Sequence, residues 1–380
     1  MFNNQKNLAI RVLHIDTGQG WRGGQQQAFY LHSMLSEKQI KSIMICQPDS
    51  EMAKRCKTES LPYIAVKMRN ELDLLAVLKI IKLVRKEQIN IIHCHCAHSL
   101  SLGIICKTFL RKIILIASRR VDFAIKQNIP SKFKYNTKLV DKIVCISQNI
   151  HDIMIASGID KNKLIVIHSG VDTDRYKDLS DAHTPPELAE YIPTKKIVGT
   201  IAALTGHKDY QTLLRAIRLI AEERDDFVFV ALGDGKDRDK ILALRDELGL
   251  IGKIIFTGYR RNVKDYLAHF DYFVLASKKE GLGTSVLDAM SANVPIIACA
   301  SGGIPEMIKH EINGLLAEKL NPEDLAQKII YALDHPEQMK VFAEKSLPVL
   351  DSFSRENTVN KNLELYRKLL FKRENGEMTE

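Results

Sequence analysis

The chain has 380 residues, 45% of them hydrophobic, and a formal net charge of +9. Its length exceeds what one hydrophobic core usually serves, so two domains are expected. No run of about 18 apolar residues occurs and Met1–Lys6 is polar, which argues against a spanning segment or a secretory leader and predicts a cytoplasmic protein. Seven cysteines, several inside apolar runs such as those ending in Cys46 and Cys145, read as buried thiols rather than a disulfide framework.

The charge is uneven. Residues 1–178 carry 28 Lys and Arg against 15 Asp and Glu, a balance of +13. The densest stretch runs through Lys107, Arg111, Lys112, Arg119, Arg120, Lys126, Lys132, Lys134, Lys138 and Lys142, opposed only by Asp122 and Asp141. An anionic membrane surface or an anionic acceptor fits such a stretch, with an ordinary solvated face as the plain alternative. No nucleic acid partner is expected, because zinc-finger spacing, an RNP-like aromatic motif and a long basic helix are all missing.

Taken in order, the segments 10–15, 41–46, 63–66, 89–93, 113–117, 142–146 and 164–168 are short apolar runs that predict strands, with helical patterns over 25–36 and 72–87. The rhythm resumes after a polar, proline-bearing segment, with strands predicted at 196–201, 227–232, 254–257, 272–276 and 295–298. A helix is predicted from Arg355 to Lys372. Such alternation predicts an α/β protein of two doubly wound, Rossmann-like domains with parallel sheets. The expected division is 1–178, a linker over 179–194, and 195–354, with 355–380 packing back on the first domain.

Candidate sites sit where strands end. Gly18-Gln19-Gly20-Trp21-Arg22-Gly23-Gly24 has the spacing of a dinucleotide turn, yet the second strand ends Cys46-Gln47-Pro48 without the ribose-binding acid that an NAD enzyme needs. A glycine turn facing a phosphate or sugar survives that test. The run from His93 to His98 could gather His93 and His95 on one side of an extended chain and Cys94 and Cys96 on the other. No second cluster completes a familiar metal set, so no metal is expected, and a crevice or core position is the reading for these histidines. Arg119-Arg120-Val121-Asp122 follows a strand, where arginine can fork onto a phosphate or carboxylate, or Arg and Asp can pair with each other.

In the second half, His207 and Lys208 follow the first strand, and Gly233-Asp234-Gly235 and Gly258-Tyr259-Arg260 end later ones. The segment Glu280-Gly281-Leu282-Gly283-Thr284-Ser285-Val286-Leu287-Asp288 is a glycine-bearing turn running into a helix. Free N–H groups there suit an anion, and its two acids can reach hydroxyls on either side of a bound diphosphate. An ordinary strand-turn-helix with surface acids is the alternative for this segment alone. Together these turns describe one nucleotide-diphosphate pocket.

With these motifs the chain resembles the retaining glycosyltransferases of the GT-B fold, and within them family four. The resemblance covers nearly the whole chain and is carried by Glu280 to Met290, Ala300-Ser301-Gly302-Gly303-Ile304-Pro305-Glu306, Asn313 to Leu316, Gly170-Val171-Asp172 and Gly23-Gly24. It implies two Rossmann-like domains facing a cleft, and a metal-independent transfer, with retention, from a nucleotide sugar, UDP-sugar favoured, to a lipid-linked or envelope-polysaccharide acceptor such as lipopolysaccharide core. No cofactor is implied beyond that co-substrate. The turn itself offers the N–H groups of Leu282, Gly283, Thr284 and Ser285 to an anion, and by the same resemblance Glu280 contacts the sugar, Thr284 and Ser285 face the diphosphate, Asp288 holds the ribose, and Gly24 approaches the diphosphate. Lys208 takes the family's phosphate-binding place, while Ala203 stands where an arginine is usual. Arg120 stands where many members carry a sugar-contacting histidine, with Asp122 the nearest polar substitute. Closure would bring Gly24 and Arg120 onto the donor. The place of work implied is the inner face of a bacterial plasma membrane, peripherally bound. An NAD-dependent oxidoreductase and a catalytically silent sugar-binding protein are the alternatives.

Overall fold

The protein is described here by a computed structural model covering residues 9–125 and 129–377. Met1–Lys6 and Lys126 lie outside the described residues. The chain divides into two units, Met1–Gly170 with Arg355–Glu380, and Val171–Ser354.

Unit 1 begins with β1 (Arg11–Ile15), α1 (Gly23–Glu37), β2 (Lys41–Cys46), α2 (Glu51–Thr58), β3 (Tyr63–Ala65) and α3 (Leu74–Lys86). It continues with β4 (Ile91–Cys94), α4 (Ala97–Phe109), β5 (Ile114–Arg119), α5 (Ile129–Asn136), β6 (Lys142–Cys145), α6 (Gln148–Ala156) and β7 (Leu164–Val166). The inner strands are largely apolar and mostly buried, as helices on both faces of a sheet require. Helix starts are set by short polar side chains. Ser50 accepts from the Ala53 amide at 3.2 Å, Asp73 from Ala76 at 3.1 Å and Ser147 from Ile150 at 3.2 Å. The seven strands are parallel in the order β3-β2-β1-β4-β5-β6-β7. The direction of winding therefore reverses between β1 and β4, and the crevice beyond their carboxyl ends is where such sheets take ligands.

Unit 2 comprises β8 (Lys196–Ile201), α7 (Tyr210–Glu223), β9 (Phe227–Leu232), α8 (Arg238–Glu247), β10 (Ile254–Gly258), α9 (Val263–Leu267) and β11 (Tyr272–Leu275). After them come α10 (Thr284–Ser291), β12 (Ile296–Cys299), α11 (Ile304–Met307), β13 (Leu315–Ala317), α12 (Pro322–Asp334) and α13 (Pro336–Leu350). Its six parallel strands follow the order β10-β9-β8-β11-β12-β13, so the reversal falls between β8 and β11. Strand β13 is not among the expected strands. Three residues are too few for a periodicity to declare itself, and this strand exists through its pairing with β12.

Residues 179–194, expected as a linker, lie within unit 2 and are fixed to α9 and the loop before it. Lys264 pairs with Asp181, and Glu187 accepts from Arg260 at 3.0 Å and from the Tyr266 hydroxyl at 2.6 Å. The last helix, α14 (Arg355–Glu374), belongs to unit 1, where Val359, Leu363, Leu365, Tyr366, Leu369 and Leu370 join a core with Val12, Leu35, Ile91, Ile116 and Ile167. The basic stretch is partly consumed by the fold. Lys107 is buried against Asp141, Lys134 bonds Glu71 at 2.6 Å, and Lys142 reaches the Asn162 carbonyl. Among its described members, Arg111, Lys112 and Lys138 are left exposed.

Candidate active site

In unit 2 the loops after β8 and β11, on either side of the reversal, carry Lys208 and Glu280. These two side chains meet in an ion pair, and Glu280 also accepts from the Ser277 hydroxyl at 2.8 Å. The Glu280 carboxylate is almost fully buried, so a charged partner is what makes its burial tolerable. The two loops are stitched together by the Lys278 amide, which donates to the His207 carbonyl at 3.0 Å. The His207 ring lies 3.2 Å from the Thr205 hydroxyl.

Four residues beyond Glu280 the chain turns into α10. Gly283 caps it with φ 91°, a left-handed conformation, and a Cβ there would lie 2.4 Å from the Ile304 side chain. Leu282 is buried, so its contribution outward is backbone. Thr284 and Ser285 open the helix, where amides have no partner four residues back. The glycine pair Gly302-Gly303 backs this turn. A Cβ on Gly302 would stand 1.7 Å from the Glu280 carbonyl oxygen, and the Gly303 amide donates to that same oxygen at 3.3 Å. Asp288 lies just over one turn into α10, and burial raises its carboxyl to about 6, with Arg175 pulling the other way.

The neighbouring loops are placed differently. Gly233 and Asp234 follow β9 beside the β8 loop, where the Leu204 amide donates to the Asp234 carbonyl at 3.2 Å. Tyr259 is mostly exposed, and Arg260 is turned to Glu187 and Tyr266. Lys208, His207, Glu280 and the start of α10 are thus brought together, whereas Arg260 is engaged elsewhere within its own unit.

Unit 1 holds a second polar cluster, at the carboxyl ends of β1, β4 and β5. Sequence reasoning found His93, His95 and Arg120 in it and missed His14, Asp16, His32 and Tyr366. The alternation expected along β4 is present, since the His93 and His95 rings stack at 4.5 Å while Cys94 turns to the Ser99 carbonyl. The register of β1 on β4 sets His14 opposite His93. His14, His93 and His95 bring ring nitrogens within 4.8 Å of one another, a spacing a metal could use.

Most of those nitrogens also carry hydrogen bonds, while His14 Nε2 is buried without one. The Arg120 guanidinium donates to His95 Nδ1 at 3.3 Å, so His95 Nε2 carries the proton and donates to His14 Nδ1 at 2.9 Å. His93 bonds the Tyr366 hydroxyl at 2.6 Å and the Ser118 hydroxyl at 2.8 Å. Desolvation holds all four rings neutral, with His93 lowered to about 3, His32 to about 4, and His14 and His95 well below the usual value. The cluster therefore works as a neutral cradle for one cation. Arg120, lowered by burial to about 10, keeps its charge and also reaches Ser169 at 3.5 Å. Gly24 lies beside it, since a Cβ on Gly24 would stand 3.5 Å from the Arg120 side chain, and Gly23 opens α1 next to it. Asp122 follows in the loop after β5, half-buried. A signal for His14 existed in its position near the end of β1, level with His93; nothing local announced Tyr366, which arrives from 273 residues away.

Comparison with known proteins decides the family. Residues 189–347 match the family described as glycosyl transferases group 1, and residues 21–175 match glycosyltransferase family 4. The chain belongs to glycosyltransferase family four. An uncharacterised glycosyltransferase of Methanocaldococcus jannaschii is 29% identical over 296 residues, covering 76% of this chain and 78% of that one. The Escherichia coli UDP-Gal:alpha-D-GlcNAc-diphosphoundecaprenol alpha-1,3-galactosyltransferase is 24% identical over 371 residues, 92% of each chain. Among solved structures, Anabaena HepE in complex with UDP and glucose superposes with a TM-score of 0.80 at 17% identity, over 94% of this chain and 99% of that one. This last likeness is one of fold, and the fold is GT-B.

Proposed function

We propose that this glycosyltransferase moves a sugar from a UDP-sugar to a lipid-linked or envelope-polysaccharide acceptor, with retention of anomeric configuration and without a metal. The observation that carries the proposal is the Lys208–Glu280 pair at the strand-order reversal of unit 2, with the opening of α10 four residues away. In this reading the Thr284 and Ser285 amides and Lys208 bind the diphosphate, Glu280 contacts the sugar, and Asp288 accepts from the ribose hydroxyls. Gly23, Gly24, Arg120 and Asp122 are assigned to substrate from unit 1. The acceptor oxygen bonds to the anomeric carbon as the carbon–oxygen bond to the diphosphate breaks. The bonding pair leaves with the diphosphate, and a phosphate oxygen takes the acceptor proton. Lys208 and the helix dipole stabilise the charge that develops on the leaving group.

Names of relatives support the class of substrate: the Escherichia coli relative is named for UDP-Gal as donor and alpha-D-GlcNAc-diphosphoundecaprenol as acceptor. A thermal-shift panel of UDP, GDP and ADP with their sugars tests the donor. A ligand at about a hundred times its dissociation constant stabilises by about 2.7 kcal/mol. UDP should give the largest shift, and a chain stabilised by none of the three overturns the reading. Transfer should continue undiminished in excess EDTA; activity lost on chelation and restored by a metal would replace the metal-free scheme.

A further inference from the structure

Helix α3 presents two apolar faces, and only one is used by the fold. Ala76, Val77, Ile80, Ile81 and Val84 are buried on the inner side. On the outer side Leu74, Leu75 and Leu78 are 62–63% exposed, and Leu72, just before the helix, is 72% exposed. Scattered surface leucines need no explanation, but four within seven residues on one outward face form a patch.

The same face continues into Lys79, Lys82, Arg85 and Lys86, and α3 holds no acidic residue. The acids flanking it are already matched within unit 1. Glu71 accepts from Lys134 at 2.6 Å, Asp73 is buried as the cap of α3 and accepts from the Ala76 amide at 3.1 Å, and Glu87 pairs with Lys41 at 2.9 Å. Phe133, 67% exposed, lies on α5 next to Lys134, whose side chain reaches Glu71.

Leucines followed by cations along one outward face, with no acid among them, complement an anionic bilayer: the apolar end enters the acyl boundary and the cations meet phosphate headgroups. None of the described helices is long and apolar enough to cross a membrane, which leaves α3 lying in the interface plane. We propose that the outer face of α3, Leu72 to Lys86, is the element that docks this protein on anionic phospholipid bilayers. The proposal rests on the reading of a lipid-linked acceptor, and it relocates the docking surface from the 107–142 stretch, whose lysines are partly spent on internal pairs.

The test uses the full chain and vesicles of phosphatidylcholine with or without 30% phosphatidylglycerol. Co-flotation is expected with the anionic vesicles, with a fraction remaining bound in 1 M NaCl because the leucines are inserted. Leu75→Ser with Leu78→Ser should lower affinity at least tenfold and abolish the salt-resistant fraction, while Lys79→Glu with Lys82→Glu should lower affinity at least tenfold at low salt. UDP thermal shifts should be unchanged in both variants, which shows that they fold and separates failure of docking from failure of the transferase reading. In Leu78→Trp, brominated lipids should quench the new indole. Absence of vesicle binding, unaltered binding in the leucine variant, or no quenching would overturn the proposal. So would a dimer that the leucine variant dissociates in a protein that ignores vesicles.

Discussion

Glu280 and Asp288 stand eight residues apart and meet different surroundings, so their losses should look different. Glu280 is neutralised by Lys208 and held by Ser277, while Asp288 sits where burial raises its carboxyl to about 6. Glu280→Gln keeps the shape and removes the charge. Transfer should fall on the order of 100-fold or more while the dissociation constant for UDP changes little. Asp288→Ala would remove the proposed charge-assisted bonds to ribose and should weaken UDP by roughly tenfold or more. Isothermal titration beside initial rates separates the two, and equal loss of UDP affinity in both variants would show the roles misassigned. Asp288 also gives a pH signature. In the proposed role ribose hydroxyls would donate to its ionised form, so binding would lower its pKa and UDP affinity should decline as pH falls through about 6. Stability moves the opposite way: a carboxyl whose folded value is raised above the unfolded one favours the fold more as pH drops through that window. Asp288→Asn should flatten this component of the affinity profile, and an unchanged profile would remove Asp288 from the ribose.

At the scale of elements, the turn between β11 and α10 depends on its neighbour after β12. Gly302 has φ 55° and no room for a side chain against the Glu280 carbonyl, so Gly302→Ala must displace the Glu280 backbone or itself. A shift of about 1 Å in a catalytic group can cost on the order of 100-fold in rate. The expected variant is folded by circular dichroism, binds UDP, and turns over as poorly as Glu280→Gln; wild-type turnover would mean the turn does not position Glu280. This dependence was legible in part. The strands were readable because parallel strands buried on both faces are plain apolar runs, and Glu280 and Lys208 because strand ends are where such sheets carry function. What no local pattern could show is which distant residues complete a site. His14 meets His95 from 81 positions away and Tyr366 meets His93 from 273, and the internal pairs of Lys107, Lys134 and Lys142 depend on partners the charge count cannot place. Charge tallies record composition, and burial decides which charges remain to meet a partner.

For the whole molecule, the end of the chain completes the unit that its beginning starts. Helix α14 supplies Val359, Leu363, Tyr366, Leu369 and Leu370 to the same core as Val12, Leu31, Ile114 and Val144, and Tyr366 closes the histidine cradle from behind. The residues assigned to nucleotide, by contrast, lie largely in Val171–Ser354. The two units should therefore report separately on heating. Leu363 is 4% exposed, and truncating a buried leucine to alanine costs about 2–5 kcal/mol, a large part of the roughly 5–15 kcal/mol that holds a domain. In differential scanning calorimetry, Leu363→Ala should lower the transition belonging to unit 1, while saturating UDP should raise the one belonging to unit 2 and persist in the variant. Tyr366→Phe keeps the ring and removes only the hydroxyl bonded to His93, so it should lower the unit 1 transition by less than Leu363→Ala. A single transition that both perturbations shift would show that the chain unfolds as one cooperative body, and UDP affinity lost in Leu363→Ala would place part of the nucleotide site on unit 1.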